Sequence, residues 1–290
     1  MNYRAGFDVL KKGEVGIEVL KLIALDLDGT LLRKDKTIGP ATQRLLHELY
    51  RRGIAITIAT GRMYHSSQHV QDLLGFPLNF ICTDGAYLRP ALADRPVLQT
   101  IPPSIVKAVL YTLREALDAL YLVSNDRLYT RAAAPNPGIR AWGFALSCCC
   151  DCPTLEALEQ VEQMIIIDRA PKARGIYKAL STALPGLPLE MSPSLRPGYY
   201  QLVIRPPGVD KGSGLSQMAK ALGISISATI AFGDWLNDLP LFRVAGLAVA
   251  PANAVPEVKA QAGIVSARSN DQDFIAFELE KLLAERKIIA

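Results

Sequence analysis

The sequence predicts an α/β protein: a doubly wound, mostly parallel sheet core into which an α+β cap domain is inserted. Three observations point there. Up to about residue 88, apolar β-branched runs alternate with amphipathic stretches in the order strand, helix, strand, helix, strand, which is the rhythm of crossover connections. From about 89 to 207 that rhythm gives way to Pro-rich breaks ("RPALADRP", "AAAPNPG", "SPSLRPG") around isolated strands and helices. From about 208 the alternation resumes. A core over 1–88 and 208–290, with residues 1–20 as an extension and 89–207 as a smaller cap, accounts for all three.

"LIALDL" is a short buried strand. "GPATQRLLHELYRRG" is an amphipathic helix with Pro40 in its first turn and Gly53 at its stop. "IAITIAT" is a second strand, "GRMYHSSQHVQDLLG" a second helix and "FPLNFICTDGAYL" a third strand. In the insert, "SIVKAVLYTLREALDAL" and "TLEALEQVEQ" read as helices, and "LYLVSN", "MIIID" and "YYQLVIR" as strands. Afterwards come helix "KGSGLSQMAKALG", strand "ATIAFGD", helix "NDLPLFRVAG", strand "LAVA" and the closing helix "DQDFIAFELEKLLAERK".

Half of the 290 residues are hydrophobic and 21% are charged, the balance of a globular protein with ample core. The net charge of +4 is dispersed, with no Lys/Arg block, so neither nucleic acid nor an anionic membrane is an expected partner. A mild positive surplus suits small anionic substrates. No apolar run is long enough to span a bilayer. The start lacks the uninterrupted apolar stretch of a secretory signal, and five cysteines without such a signal suit a reducing cytoplasm. Oligomeric state is not written in the sequence.

In open parallel sheets, ligands bind beyond the carboxyl ends of the strands. Polar residues gather at such ends here: Asp26 and Asp28 after "LIAL", Thr60 after "IAITIA", and Asp234, Asn237 and Asp238 after "ATIAFG". Lys211 opens the helix that follows "YYQLVIRPPGVD". Singly, each is an ordinary turn or cap residue; jointly they make chemical sense. Three carboxylates, Asp26, Asp28 and Asp234, repel one another unless a hard cation lies among them, and oxygen ligands completed by phosphate suit Mg²⁺. Lys211, the Thr60 hydroxyl and backbone N–H groups after Asp26 can bind phosphate oxygens. An aspartate so placed can attack phosphorus, and a second one two residues on can protonate the leaving oxygen and then activate water.

"DLDGTLL", "TIATGR", "VDKGSGL" and "GDWLNDLPLF" resemble, in order, the four motifs of the haloacid dehalogenase (HAD) superfamily of phosphatases. The long insert before "DKG", with "CTDGAYL" and "VAPANAVPEVK", is similar to the Cof-like branch with a type IIB cap, and the likeness runs from about Lys21 onward. It implies a Rossmann-like core, Asp26 as nucleophile and Asp28 as general acid and base. Mg²⁺ would be held by Asp26, the Asp28 backbone carbonyl and Asp234. Thr60, Gly61, Lys211, Asn237 and the Leu27 backbone N–H would bind phosphate, and Asp238 would orient Lys211 or metal-bound water. The substrate would be a small phosphorylated metabolite. Arg62 is read either as reaching that substrate or as a surface group. Two departures stand out: Asp84 where the family has Asn, and Pro251-Ala252 where it has Met-Gly, both expected at the mouth of the site.

Other polar residues read blandly. Cys149 and Cys152 have one zinc-like spacing, but no second pair accompanies the Cys148–Cys152 cluster, so small apolar filler is expected. His65 and His69 lack an acidic partner pattern and read as a surface or half-buried pair. Tyr129, Trp142 and Tyr199 wall the pocket or fill the cap core, and Trp235 must lie near the site. Hinges are expected near Leu88–Pro90 and Pro206–Val209. Two other functions fit the same motifs. One is a phosphomutase, which would need several cap arginines (Arg127, Arg131, Arg140, Arg174, Arg196). The other is a non-catalytic sugar-phosphate-binding protein.

Overall fold

The computed structural model describes residues 19–114, 116–131, 149–151, 155, 158–194 and 196–285. The N-terminal extension up to residue 18, Trp142, Arg140 and the cysteines at 148 and 152 lie outside them, as do residues 154, 156 and 157 of the expected helix "TLEALEQVEQ". That helix is corrected: residues 158–162 are not helical, and Gln163 begins a strand that runs to Arg169.

Strands β1 (Leu22–Leu25), β2 (Ala55–Ala59) and β3 (Asn79–Cys82) are followed by β4 (Tyr87–Arg89) and β5 (Val97–Leu98). After the insert come β12 (Thr229–Phe232), β13 (Leu247–Ala250) and β14 (Ile264–Val265). Among the described residues they form an eight-stranded sheet in the order β14-β13-β12-β1-β2-β3-β4-β5, parallel from β14 to β3. Both faces are covered, so β1 is buried at every position and reads as a continuous apolar run. One face packs with α1 (Pro40–Arg51) and α9 (Phe274–Ala284) around Ile23, Leu46 and Leu279. The other packs with α6 (Lys211–Ala221) and α7 (Leu239–Val244) around Leu22, Leu215 and Leu241.

Two core expectations are corrected. The single helix expected over "GRMYHSSQHVQDLLG" is two short ones, α2 (Tyr64–Ser67) and α3 (His69–Leu74). Ser66 and Ser67 both donate hydroxyl hydrogen bonds back to the Met63 carbonyl, at 3.0 and 2.8 Å, in competition with the helix backbone. The single strand over "FPLNFICTDGAYL" is an antiparallel hairpin of β3 and β4. Thr83 and Asp84 adopt left-handed backbone (φ 48° and 51°) and Gly85 has φ 104°, which reverses the chain.

In the insert, β6 (Leu120–Ser124), β7 (Arg127–Thr130), β8 (Cys149–Asp151), β9 (Gln163–Arg169), β10 (Leu189–Pro193) and β11 (Tyr199–Ile204) form a second sheet. Helices α4 (Pro103–Thr112) and α5 (Ala170–Ala183) cover one of its faces around Val109, Ile166, Ile176 and Leu202. Helix α4 ends at Thr112, short of the expected Leu120. Helix α5 has no counterpart in the sequence reading; its Pro171 sits in the first turn, where no backbone donor is needed.

The other face of this sheet meets the core. Met63 of the core is buried among Tyr121, Val123, Leu128, Ile165 and Ile167 of the insert. The β6–β7 turn, Asn125-Asp126, has φ of 51° and 58°, the conformation of a two-residue hairpin loop. Its Asp126 carboxylate accepts a hydrogen bond from the His65 N–H (2.9 Å) at the start of α2. Glu162, wholly buried, braces that turn by accepting from the Asn125 N–H (2.6 Å). Burial pushes the Glu162 carboxyl up from its ordinary 4.5 to about 7. A raised value in the folded state means that this group's contribution is complete below about pH 4.5 and is lost as the pH climbs through about 7. Glu162→Gln is therefore expected to flatten the fall in unfolding free energy between pH 5 and pH 8 by about 1–3 kcal/mol. Urea denaturation at the two pH values measures it; an unchanged slope contradicts it.

Candidate active site

Strand β1 is where the sheet changes direction, with β2 and β3 on one side and β12 to β14 on the other. The loops after β1 and β12 therefore diverge and leave a crevice. The carboxyl ends of β1, β2 and β12 open there into a cavity of about 580 Å³, which Asp26, Asp28, Thr60, Gly61, Asp234 and Asn237 all line.

Lys211 anchors the floor. Asp210 caps α6 by accepting from the Ser213 N–H (2.7 Å), while Ser213 Oγ accepts from the Asp210 N–H (3.0 Å). This places Lys211 at the first helical position, fully buried, with Nζ donating to Asp26 Oδ1 (2.7 Å) and Asp238 Oδ1 (2.6 Å). Burial alone would depress the lysine, but Asp238 and Asp26 outweigh it and hold the ammonium charged. The other Asp238 oxygen accepts from the backbone N–H of Asp234 (2.9 Å) and of Trp235 (3.0 Å). Asp238 is thus engaged in setting Lys211 and the turn that carries Asp234.

Asp234 Oδ1 accepts from the Thr30 hydroxyl (2.9 Å). Gly29, at φ +85°, comes so close that an added Cβ would lie 2.3 Å from Asp234 Oδ2. The glycine of "DLDGT" is required both by its backbone conformation and by this approach. Acidic oxygens of Asp26, Asp234 and Asp238 all lie within 4.8 Å of one another. Burial drives the Asp26 carboxyl well up, against the pull of Lys211, and Asp238 and Asp234 add repulsion. Burial and Asp238 raise Asp234 to about 7. Three carboxylates against one ammonium leave a surplus of buried negative charge, which fits a divalent cation. With both Asp238 oxygens engaged, Asp26 and Asp234 are the carboxylates left to hold it.

Asp28 projects elsewhere. Its side chain is 42% exposed and is held by Arg62 Nε (2.6 Å to Oδ2) and Lys36 Nζ (2.8 Å to Oδ1). Burial would raise its carboxyl, but Arg62 and Lys36 win and lower it. Thr60, buried at the end of β2, accepts from the Arg62 N–H (3.2 Å). Arg62 is thus a partner of Asp28, which neither sequence reading of it anticipated. Asp84 is also corrected: it is no rim residue but 4% exposed, accepts from Asn237 Nδ2 (2.9 Å) and lies beside Gly61. Asn253 Nδ2 donates to the Gly29 carbonyl (2.8 Å) and props the loop after β1. The side chain of Leu27 is buried in the main core, which anchors the backbone between the two aspartates.

The family model for haloacid dehalogenase-like hydrolases matches residues 23–279. The chain belongs to that family. Among curated HAD-like relatives, the phosphoglycolate phosphatase of Methanopyrus kandleri is 31% identical over 264 residues, covering 91% of this chain and 97% of that protein. The pyridoxal phosphate phosphatase YbhA of Escherichia coli is 30% identical over 270 residues, covering 88% and 96%. Among solved structures, TM0651 from Thermotoga maritima superposes with a TM-score of 0.76 at 25% identity, covering 91% and 97%. The HAD subclass IIB sugar phosphatase BT4131 gives 0.72 at 23%, covering 90% and 98%. The resemblance to capped HAD phosphatases is borne out, and the acidic cluster fits the divalent metal that HAD-like hydrolases generally use.

His65 and His69 are exposed. Tyr129 and Tyr199 pack in the apolar clusters of the insert. Trp235 lines the cavity and is 43% exposed. Among the described residues no helix is long and apolar enough to cross a membrane. Two contacts had no signal in the sequence: Thr30 to Asp234, and Lys36 to Asp28.

Proposed function

We propose that this HAD-like hydrolase is an Mg²⁺-dependent phosphatase of small phosphomonoesters acting through an aspartyl-phosphate. One observation carries the reading: Asp26, Asp234, Thr60 and Asn237 line one cavity, and fully buried Lys211 bonds Asp26 beneath it. Asp26 attacks phosphorus as the bond to the leaving oxygen breaks, and Asp28 gives that oxygen its proton. Asp28 then takes a proton from water, which attacks phosphorus and frees Asp26 and inorganic phosphate. Lys211, Thr60, Asn237 and the backbone at Leu27 and Gly61 hold the phosphoryl oxygens, and Asp238 keeps Lys211 in place. Bound by Asp26, Asp234 and the Asp28 carbonyl, Mg²⁺ would neutralise the carboxylates and polarise a phosphoryl oxygen. Arg62 has to release Asp28 for proton transfer, and the phosphoryl oxygens are the competing partner.

The division into core and cap belongs to this reading, with its first boundary corrected from 88 to Leu98, because β4 and β5 pair within the core sheet. Gln99 still bonds the core at Ala86 and Ile101 already bonds the insert at Val161, so the hinges that admit substrate are put at 99–101 and 206–209. The mutase alternative loses support: Arg174 and Arg196 lie over Tyr200 and Tyr199, and neither they nor Arg127 and Arg131 line the cavity. A screen of phosphomonoesters tests the proposal. Inorganic phosphate should appear without any bisphosphate activator, fall by about 100-fold or more in chelator, and return with Mg²⁺. Undiminished turnover in chelator overturns the metal assignment; a requirement for bisphosphate restores the mutase.

A further inference from the structure

The insert's strands β10 and β11 pair antiparallel, with Ser192 opposite Gln201 and Glu190 opposite Val203. Side chains alternate between the faces of such a ladder. Leu189, Met191, Leu202 and Ile204 pack into the insert's own core. Glu190, Ser192, Gln201, Val203 and Arg205 turn the other way and line the cavity above Asp26. Further along the same face, Tyr121, Ile165 and Ile167 enclose Met63. One sheet face therefore divides in two: an apolar part that seats on the core, and a polar part that roofs the space where the ester's leaving group must lie.

The roof has a definite chemistry. Gln201 Nε2 donates to Ser192 Oγ (2.9 Å). The Arg205 guanidinium pairs with Glu190, and its Nε lies 3.5 Å from Asp84 Oδ2. Two carboxylates flank one guanidinium, so this part of the wall is an array of hydrogen-bond donors and acceptors and not an anion receptor. The other cations that line the cavity, Arg33, Lys34, Lys36 and Arg62, lie on the core side and are paired with Asp273, Asp271 and Asp28. A hydroxyl group satisfies such an array, since it donates to Glu190 and accepts from Arg205 or Gln201. A carboxylate or second phosphate meets Glu190 and Asp84 with like charge. The replacement of Asn by Asp at position 84 belongs to this arrangement, because the added buried carboxylate has Arg205 as counter-ion.

We propose that Glu190, Gln201 and Arg205 are specificity-determining residues that read hydroxyl groups of a neutral leaving group and reject one bearing a second anion. This rests on the phosphatase reading and narrows its substrate.

The test compares three monoesters of matched size: a hexitol monophosphate, a carboxylate-bearing monoester, and an aryl phosphate with no hydroxyl on the ring. Wild type should favour the hexitol ester over the carboxylate ester by about tenfold or more in kcat/KM. Glu190→Gln should cost the hexitol ester about 10- to 100-fold, mainly through KM, and leave the aryl ester within about twofold. Glu190→Lys should reverse the ranking of hexitol and carboxylate esters. A parallel loss with all three esters would make Glu190 merely structural, and a wild-type preference for the carboxylate ester would overturn the proposal. Calorimetric titration of Asp26→Asn protein with the hexitol ester, with and without Glu190→Gln, reports the roof without turnover. If no ester is hydrolysed but Glu190→Gln still weakens this binding, only the phosphatase reading fails. Equal binding sinks the roof assignment.

Discussion

Asp26→Asn protein is expected to fold normally and to lose phosphomonoester turnover by about 10⁴-fold or more. The isosteric amide keeps the volume and one acceptor oxygen beside Lys211, so packing around β1 has no reason to change. What it loses is the nucleophilic lone pair and one of the two carboxylates available to a metal. The rest of the site would still bind phosphate, so the loss should fall on kcat and leave phosphate inhibition in place. Circular dichroism and urea denaturation establish the fold, and steady-state kinetics the loss. Residual activity within about tenfold of wild type would remove Asp26 from the chemistry.

Lys211→Met carries the second large effect, and here stability moves as well as rate. The ammonium is fully buried and hydrogen-bonded to two carboxylates, Asp26 and Asp238. Removing one partner of a buried ionic cluster leaves the others uncompensated, which costs about 3–5 kcal/mol. Turnover should fall by about 100- to 1000-fold, as for loss of one electrostatic donor at the reacting group. Combining Lys211→Met with Asp26→Asn should cost less than the sum of the two, because the double variant no longer buries an unpaired carboxylate at position 26. Urea denaturation in chelator measures all three proteins. Strict additivity would show that Lys211 and Asp26 do not sense each other, contrary to the 2.7 Å contact.

The core was legible because a parallel sheet covered on both faces demands continuous apolar strands, and "LIAL" and "IAITIA" supply them. Polar residues immediately after such strands have few places to go, which is why Asp26, Thr60 and Asp234 could be grouped before their geometry was known. Local hydrogen bonding hid the break between α2 and α3: Ser66 and Ser67 bond Met63, and the helical periodicity on either side continues across them. The β3–β4 reversal was hidden because Thr83 and Asp84 adopt left-handed backbone that tertiary contacts must enforce. Asp84 was visible as a departure, but its burial and its partners Asn237 and Arg205 depend on two segments more than a hundred residues away, the turn after β12 and the residue that follows β11. Pairings of Asp28 with Arg62 and Lys36 are side-chain choices among several reachable partners, and sequence spacing does not select among them.

The most direct test of the central claim is to trap the covalent state. Protein turning over a phosphomonoester labelled in its phosphoryl group would be quenched in acid, reduced with borohydride and mapped by peptide mass spectrometry. An acyl phosphate at Asp26 is reduced to homoserine, so homoserine at position 26, appearing only with substrate and absent from Asp26→Asn protein, is the predicted result. Steady turnover with no such conversion, or with the phosphoryl group on another residue, would contradict the account.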